Sequence, residues 1–483
     1  MLRILITKEL RSVILSPKFP VTFAVCSIII LLSVLVGIRE YRATEKQAAA
    51  GQEFSNELMR EQTGWSSVSE SIFRSPDPMQ ILVSGVAYDL GRVASVDRYS
   101  VPRLVSSVYT GDPILAVFRF LDFSFIVLIV LSLLAIVFTY DAICGEREAG
   151  TLRLVFSHRV SRANYLIAKC LGSWLGLMVP LGVPILIGIL MIQLSGISFG
   201  EQGGIRLLLM LAVAMLFVSF FVVFGVMMSA LTRRTSASFL LCLMSWILLV
   251  FAIPRIGIML SSQLVSVPTI GSISSERTAY MQDQWNQLTT GFSSRLQAYY
   301  QKWDYKDPSF DQKWQAAEES LRATVSDRIW KFEANLLDDQ RHAQVAEQRL
   351  AFALSRISPA SVFQIAVMVL ANTDLELKQR YEEALSNYSV TYRSYLVHKE
   401  ATSPPAQKEQ TVIIPLGKGT SIGINGPRPK NALDLSDLPQ FNHPTWPIKE
   451  ALSQIVVDVG LLLCFILASF AIAWAAFMRY DLR

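Results

Sequence analysis

Six apolar stretches constrain this chain more than any other feature of its sequence. A transmembrane helix needs roughly 20 predominantly apolar residues, and each stretch is close to that length or longer, with no ionisable residue in its middle. Backbone polar groups must be satisfied internally in lipid, so such stretches cross as helices. The sequence therefore predicts an all-α polytopic membrane protein. The predicted spans are residues 21–38, 121–140, 170–194, 205–231, 236–256 and 453–478.

The remaining segments are too polar to lie in lipid. The 483 residues are 52% hydrophobic and 17% charged, which is too apolar for an ordinary soluble enzyme and too charged for a purely membrane-embedded chain. We expect a cytosolic amphipathic elbow helix at 1–20, an extracytoplasmic segment at 39–120, a cytosolic loop at 141–169, and a large, mostly helical extracytoplasmic domain at 261–450. A cleaved signal peptide fits the amino terminus less well, because the apolar run is long and no cleavage site follows it.

Charge fixes the expected orientation. Thirteen basic and five acidic residues fall on the predicted cytosolic pieces, against thirty-one and thirty-four on the rest of the chain. This asymmetry has the sign of the positive-inside rule and predicts that both termini are cytoplasmic. The net charge of +5 does not indicate nucleic-acid binding, because the basic residues lie beside the apolar stretches.

A shorter apolar run at 357–371 allows a different topology. At about 15 residues it is short for a span, and counting it would place the carboxyl terminus outside. Two alternatives stay open: the run lies on or dips into the outer leaflet, or it packs against the helices of the outer domain.

Two short motifs resemble catalytic patterns without their structural context. Residues 419–423 fit a hydrolase nucleophile elbow, but Asn425, Gly426 and Pro427 exclude the helix that must follow. Residues 417–420 resemble part of a phosphate loop that lacks its first glycine. No Cys or His pair stands at zinc-ligand spacing, and the spans carry no proton relay. We expect no catalytic, cofactor or metal site, so any energy for movement must come from a partner.

The loop at 141–169 contains the most informative motif, Glu146-Arg147-Glu148-Ala149-Gly150-Thr151-Leu152. It resembles the Glu-Lys/Arg-Glu-x-Gly-Thr-Leu signature in the first cytosolic loop of type 2 ABC exporter permeases. The amphipathic elbow in front of six spans agrees with that family. The resemblance extends to gliding-motility and copper-processing relatives, in particular a subgroup with long outer insertions and an Arg-Tyr-Asp-like tail.

The resemblance implies a coupling helix that docks into a groove on a cytosolic ABC ATPase, which would bind ATP and Mg²⁺. Glu146 and Glu148 would offer charge to a basic groove, Leu152, Leu154 and Phe156 would form an apolar anchor, and Gly150 would permit a bend. The implied ATPase-coupling residues are Glu146, Arg147, Glu148, Gly150, Thr151, Leu152 and Arg162.

The family also implies the partners and the location. A second permease copy or a paralogue would complete a dimer in the inner membrane of a bacterial cell, in contact with membrane lipid. A periplasmic partner could bind residues 261–450. Two functions stay open: an ATP-driven exporter permease, or a non-transporting subunit that transmits ATPase motion to an envelope partner.

Overall fold

The computed structural model describes residues 2–62, 64–107, 121–157, 160–302, 309–402, 411–415, 421–425, 433–444 and 446–479. Helices account for most of it, and six of them are long and apolar enough to cross a membrane. The predicted all-α fold with six transmembrane helices is confirmed.

The chain up to Leu194 supplies three of these six helices. Helix α3 is continuous through a π-helical turn at Ile126–Leu131. The elements are α1 Leu2–Ile14, α2 Lys18–Arg60, a 3-10 turn Trp65–Ser67, β1 Glu70–Phe73, a 3-10 turn Pro78–Ile81, β2 Val93–Val96, α3 (Phe123–Phe125, Ile126–Leu131 and Ser132–Thr139), α4 Cys144–Glu148, α5 Thr151–Ser157 and α6 Arg162–Leu194.

The chain from Gly200 onward supplies the other three together with most of the outer helices. Helix α8 also contains a π-helical turn, at Leu248–Ala252. The elements are α7 Gly200–Leu231, α8 (Thr235–Ile247, Leu248–Ala252 and Ile253–Leu264), α9 Ile270–Thr290, α10 Phe292–Lys302, α11 Phe310–Ser355, α12 Pro359–Leu370, α13 Glu376–Thr402, β3 Thr411–Pro415, β4 Ser421–Asn425 and α14 Ile448–Met478.

Pieces predicted to share one side of the membrane meet at the same end of the helix bundle. At the inner end, Lys18 Nζ donates to Tyr140 Oη at 3.3 Å. At the outer end, Arg42 donates to the Ser195 carbonyl, and the Ile448 amide donates to Gln202 Oε1 at 3.0 Å. The two ends are called inner and outer below.

The first outer segment begins within helix α2. Helix α2 continues for 22 residues past the predicted end of its span, to Arg60, because the residues beyond Ile38 are mostly good helix formers. Its outer part packs on β1, where Ser55 Oγ and Gln52 Oε1 accept from the amides of Ser71 and Phe73.

Residues from the two predicted outer segments, 39–120 and 261–450, pack together in one unit. Helix α13 packs its Leu385 and Tyr392 against Ile72 of β1 and Val96 of β2 in a shared apolar core. Beside this unit, α9 and α11 form an antiparallel helical pair around Leu288, Val325 and Ile329. By its 46 residues, α11 is about 69 Å long.

The short apolar run at 357–371 is helix α12, and its partners are membrane helices. Phe363 is fully buried and stacks on Phe217 of α7, with ring centroids 4.5 Å apart. Ser358 caps the helix at the Ala360 amide and also donates to the Leu249 carbonyl of α8. These contacts agree with a helix that dips in among the spans, and not with one that packs on the soluble helices. With 12 residues it adds no seventh span.

Strand β4 contains the last three residues, 421–423, of the elbow-like motif at 419–423. Ser421 and Gly423 lie within β4 and pair with Pro415 and Ile413 of β3. The nucleophile of an elbow stands at a turn between a strand and a helix, so this placement differs from that geometry. Residues 417–420 of the phosphate-loop pattern lie outside the described residues, as does the Tyr480-Asp481 part of the tail.

Candidate functional site at the inner end of the bundle

The predicted coupling motif lies on two short helices, α4 and α5, at the inner end. Gly150 joins them with φ of +70°, a left-handed conformation that favours glycine, and the chain bends there. A Cβ added at Gly150 would meet nothing within 4 Å, so backbone conformation alone favours glycine. Thr151 Oγ1 donates to the Glu146 carbonyl at 3.1 Å across the bend.

Glu146 is the centre of a charged network that faces into the protein. Its Oε1 accepts from Lys8 Nζ at 3.0 Å and from Lys169 Nζ at 2.9 Å, and its Oε2 accepts from Tyr165 Oη at 2.6 Å. Glu9 also pairs with Lys169, with an N–O distance of 2.9 Å. The network ties α4 to both α1 and α6. In this conformation three donors occupy the Glu146 carboxylate, so its charge is directed into the protein. The role of Glu146 in ATPase docking stays a prediction.

Burial and charge act in opposite directions on Lys8. Partial burial lowers the pKa of its ammonium group, but the hydrogen bond and charge of Glu146, together with the charge of Glu9, outweigh that effect. The pKa of Lys8 is raised, so Lys8 stays charged at neutral pH.

Glu148 and Arg162 bind the ends of two other spans. Glu148 Oε1 and Oε2 accept from the Thr235 amide at 3.2 Å and from its hydroxyl at 2.7 Å, in the first turn of α8. Arg162 donates to the Met478 carbonyl at 2.7 Å, at the end of α14. Each charge complements a helix dipole, because an anion is favourable at a helix start and a cation at a helix end.

Other contacts anchor the beginning of the motif. Ser229 of α7, which is fully buried, accepts from the amides of Ile143 and Cys144 at 2.9 and 3.0 Å. Arg147 donates to the Thr232 carbonyl at 3.5 Å. The loop therefore touches the inner ends of α6, α7, α8 and α14 together with α1.

The expected apolar anchor is divided between the interior and the surface. Leu152 is buried in the membrane core, and Phe156 packs on Tyr165 and Phe477 at centroid distances of 5.3 and 5.9 Å. Only Leu154 of the three points outward, with 69% of its surface exposed. Leu152 and Phe156 thus hold α5 in place, and Leu154 is the side chain that could contact another protein.

Some network residues were not among the predicted site residues. Tyr165 binds Glu146 and Thr235 binds Glu148. Glu9 acts through Lys169, and Ser229 binds the amides just before the motif. These four residues lie far from the motif in sequence or carry no charge. Glu9 had a detectable signal, because it is the only acidic residue in a basic amphipathic helix. Among the described residues, no group of three His, Cys, Asp or Glu side chains is arranged to hold a metal ion.

A family model described as "ABC-2 family transporter protein" matches residues 3–482 of this chain. The chain belongs to this family. No curated protein matches it at a significant level. The ABC-2 match covers all six spans, the inner loop and the outer domain, so it supports the type 2 ABC permease resemblance seen in the sequence. As an ABC-2 transporter protein, the chain is a membrane subunit of an ABC transporter.

Proposed function

We propose that this ABC-2 chain couples ATP hydrolysis on a separate cytosolic ABC ATPase to movement of its own membrane helices, as one half of an exporter. ATP and Mg²⁺ would bind to the ATPase, and a second permease copy or a paralogue would complete the transporter. The assembly would lie in the inner membrane of a bacterial cell with both termini cytoplasmic.

The observation that supports this proposal is that the inner loop contacts the spans on one side and is exposed on the other. Its inward residues contact the ends of four spans, while Ala149, Gly150, Thr151 and Leu154 are exposed at the same end. An ATPase that pressed on this exposed surface would move the spans together with it. A small docking surface of this kind binds tightly through an apolar anchor, and Leu154 is the exposed apolar side chain of α5 that could serve as one.

Replacing Leu154 with Asp tests the docking surface. The side chain is exposed, so the variant should fold with a stability within about 0.5 kcal/mol of wild type. We expect it to lose at least about tenfold in affinity for its partner ABC ATPase, since a buried anchor contributes on the order of 2 kcal/mol. Affinity is measured by titrating the ATPase against the purified chain in lipid nanodiscs.

Leu58→Asp is the matched control, because Leu58 is also exposed but lies on the outer part of α2. The control should bind the ATPase like wild type. Equal ATPase affinity and equal coupled hydrolysis for Leu154→Asp and Leu58→Asp would contradict the docking role of the loop.

A second candidate function is transmission of motion to an envelope partner without transport. The attachment of α11 to two spans favours this function. The last turn of α11 packs closely on α8 at Gly257, where an added Cβ would lie 3.0 Å from the Ser355 amide nitrogen. Arg356, at the end of α11, pairs with Asp458 of α14. These are the two spans whose inner ends bind Glu148 and Arg162. Movement of the inner loop would therefore reach the outer helical pair.

Deleting residues 276–353 separates the two functions. Translocation that survives the deletion in reconstituted vesicles would favour an exporter with an accessory outer domain. An ATPase that still runs while an outer partner no longer co-purifies would favour transmission.

A further inference from the structure

The outer unit contains a buried carboxyl group for which the described residues supply no cationic partner. Glu70 of β1 is 8% exposed and faces α13 and the extended segment at 433–444, called the wall segment below. No ion pair joins Glu70 to a cation within the described part of the chain. A buried, unpaired carboxylate is costly, so its hydrogen bonds decide its protonation state.

Those hydrogen bonds require a proton on Glu70. Tyr388 Oη lies 2.5 Å from Glu70 Oε2 and 2.7 Å from the Pro439 carbonyl oxygen. A hydroxyl group has one proton to donate, and a carbonyl oxygen can only accept. Both contacts are full hydrogen bonds only if Glu70 is protonated and donates to Tyr388, which in turn donates to Pro439.

The chain of two hydrogen bonds holds one side of a groove. The groove has a volume of about 610 Å³ and runs between the outer part of α2, β1 and the wall segment, with Glu70, Pro439 and Phe441 in its lining. A second attachment lies nearby in the same segment, where Asp437 accepts from Tyr395 at 2.6 Å and pairs with Lys399 at 2.6 Å.

We propose that Glu70 is a proton-binding site that fastens the wall segment, and that loss of this proton releases that side of the groove. An ionised Glu70 would take the only proton of the Tyr388 hydroxyl, and the Pro439 carbonyl would lose its donor. The proposal is independent of ATPase docking, because the site lies at the opposite end of the bundle. The other titratable or charged groups around it are Tyr388 and Tyr392 of α13, Glu45 and Arg60 of α2, His443 of the wall segment and Asp97 after β2.

The environment of Glu70 determines the direction of the pH effect. Burial raises the pKa of Glu70 and outweighs the hydrogen bond from Tyr388, which lowers it. A carboxyl group with a raised pKa in the folded state binds its proton more tightly there than in the unfolded chain. The attachment is therefore complete at acidic pH and is lost as the pH rises through the raised pKa.

Hydrogen–deuterium exchange of the wall segment in the full chain tests this proposal. Wild type and Glu70→Gln are compared at each pH, so that the intrinsic pH dependence of exchange cancels. A glutamine amide can donate to Tyr388 at every pH, so the two proteins should exchange alike at acidic pH. Above the transition, wild type should exchange roughly fivefold faster, as expected for the loss of one hydrogen bond.

Two further variants make the result specific. Tyr388→Phe removes the shared hydroxyl group and should give fast exchange at every pH, with no step. Lys399→Ala weakens the second attachment and should raise exchange while leaving the wild-type pH step in place. A wild-type to Glu70→Gln ratio that stays constant across pH would overturn the proposal.

Infrared difference spectroscopy provides a second measurement if Glu70→Gln does not fold. Wild type should show a protonated carboxyl band that disappears as pH rises, and Tyr388→Phe should shift this band by removing its hydrogen-bond acceptor. An unshifted band in Tyr388→Phe would show that the protonated carboxyl is another residue and would also overturn the proposal.

Discussion

The two ends of the helix bundle use charge differently. At the outer end, one buried pair attaches α11 to α14: Arg356 Nε and Nη2 donate to the two Asp458 oxygens at 2.7 and 3.1 Å. At the inner end, the polar contacts between helices are divided over Glu146, Glu148 and Arg162, which bind different helices. A single pair is lost as a whole when one partner is removed, whereas contacts divided over three residues can be lost one at a time. We therefore expect the inner end to move more easily than the outer joint.

The largest effect is expected at the outer joint. Asp458→Ala leaves Arg356 without its partner beside a buried surface, and should lower the free energy of unfolding by about 3 kcal/mol. Asp338→Ala on α11 is the control, because the pair that Asp338 makes with Arg341 is partly exposed and should contribute less than about 1 kcal/mol. Both are measured by thermal unfolding in detergent.

A double variant distinguishes the loss of the pair from the loss of packing. Arg356→Met with Asp458→Leu removes both charges and keeps side-chain volume, and should recover most of the lost stability. A double variant as unstable as Asp458→Ala would show that the joint depends on something other than charge pairing.

A smaller effect is expected at the inner network. Glu146→Ala removes three hydrogen bonds, but Lys169 keeps its pair with Glu9, so the expected loss is about 2 kcal/mol. Glu148→Ala removes only an exposed helix cap and should cost about 1 kcal/mol or less. The comparison is made by chemical denaturation, with limited proteolysis of α1 to detect its release. Equal losses for the two glutamates would contradict the central position of Glu146.

At the bend we expect a smaller effect than that of Glu146→Ala. Gly150→Ala forces a Cβ into a left-handed conformation, which costs about 1 kcal/mol without any steric clash. Gly150→Asn should cost less, since asparagine tolerates this conformation. Gly182→Ala in α6, where an added Cβ also meets nothing, should be neutral or stabilising. If Gly150→Ala behaved like Gly182→Ala in thermal unfolding, the bend would not depend on the left-handed conformation.

The number of spans and the position of the loop could be predicted from the sequence because both are local properties. The length of an apolar run predicts a membrane helix. A glycine after Glu146-Arg147-Glu148-Ala149 indicates a bend, whatever the fold of the rest of the chain. The role of each charged residue could not be predicted in the same way. Glu146 accepts a hydrogen bond from Lys8, which is 138 residues away in the sequence. The cation that pairs with a given carboxylate depends on which one the fold places beside it.

The sequence by itself determined a six-span permease with a short charged loop at its inner end, since hydropathy and motif spacing are read along the chain. Only the tertiary structure decided that Glu146 faces inward, that the segments around β1 and α13 share one core, and that α12 lies among the spans. Each of these depends on which distant surfaces pack together, and packing is a property of the whole fold.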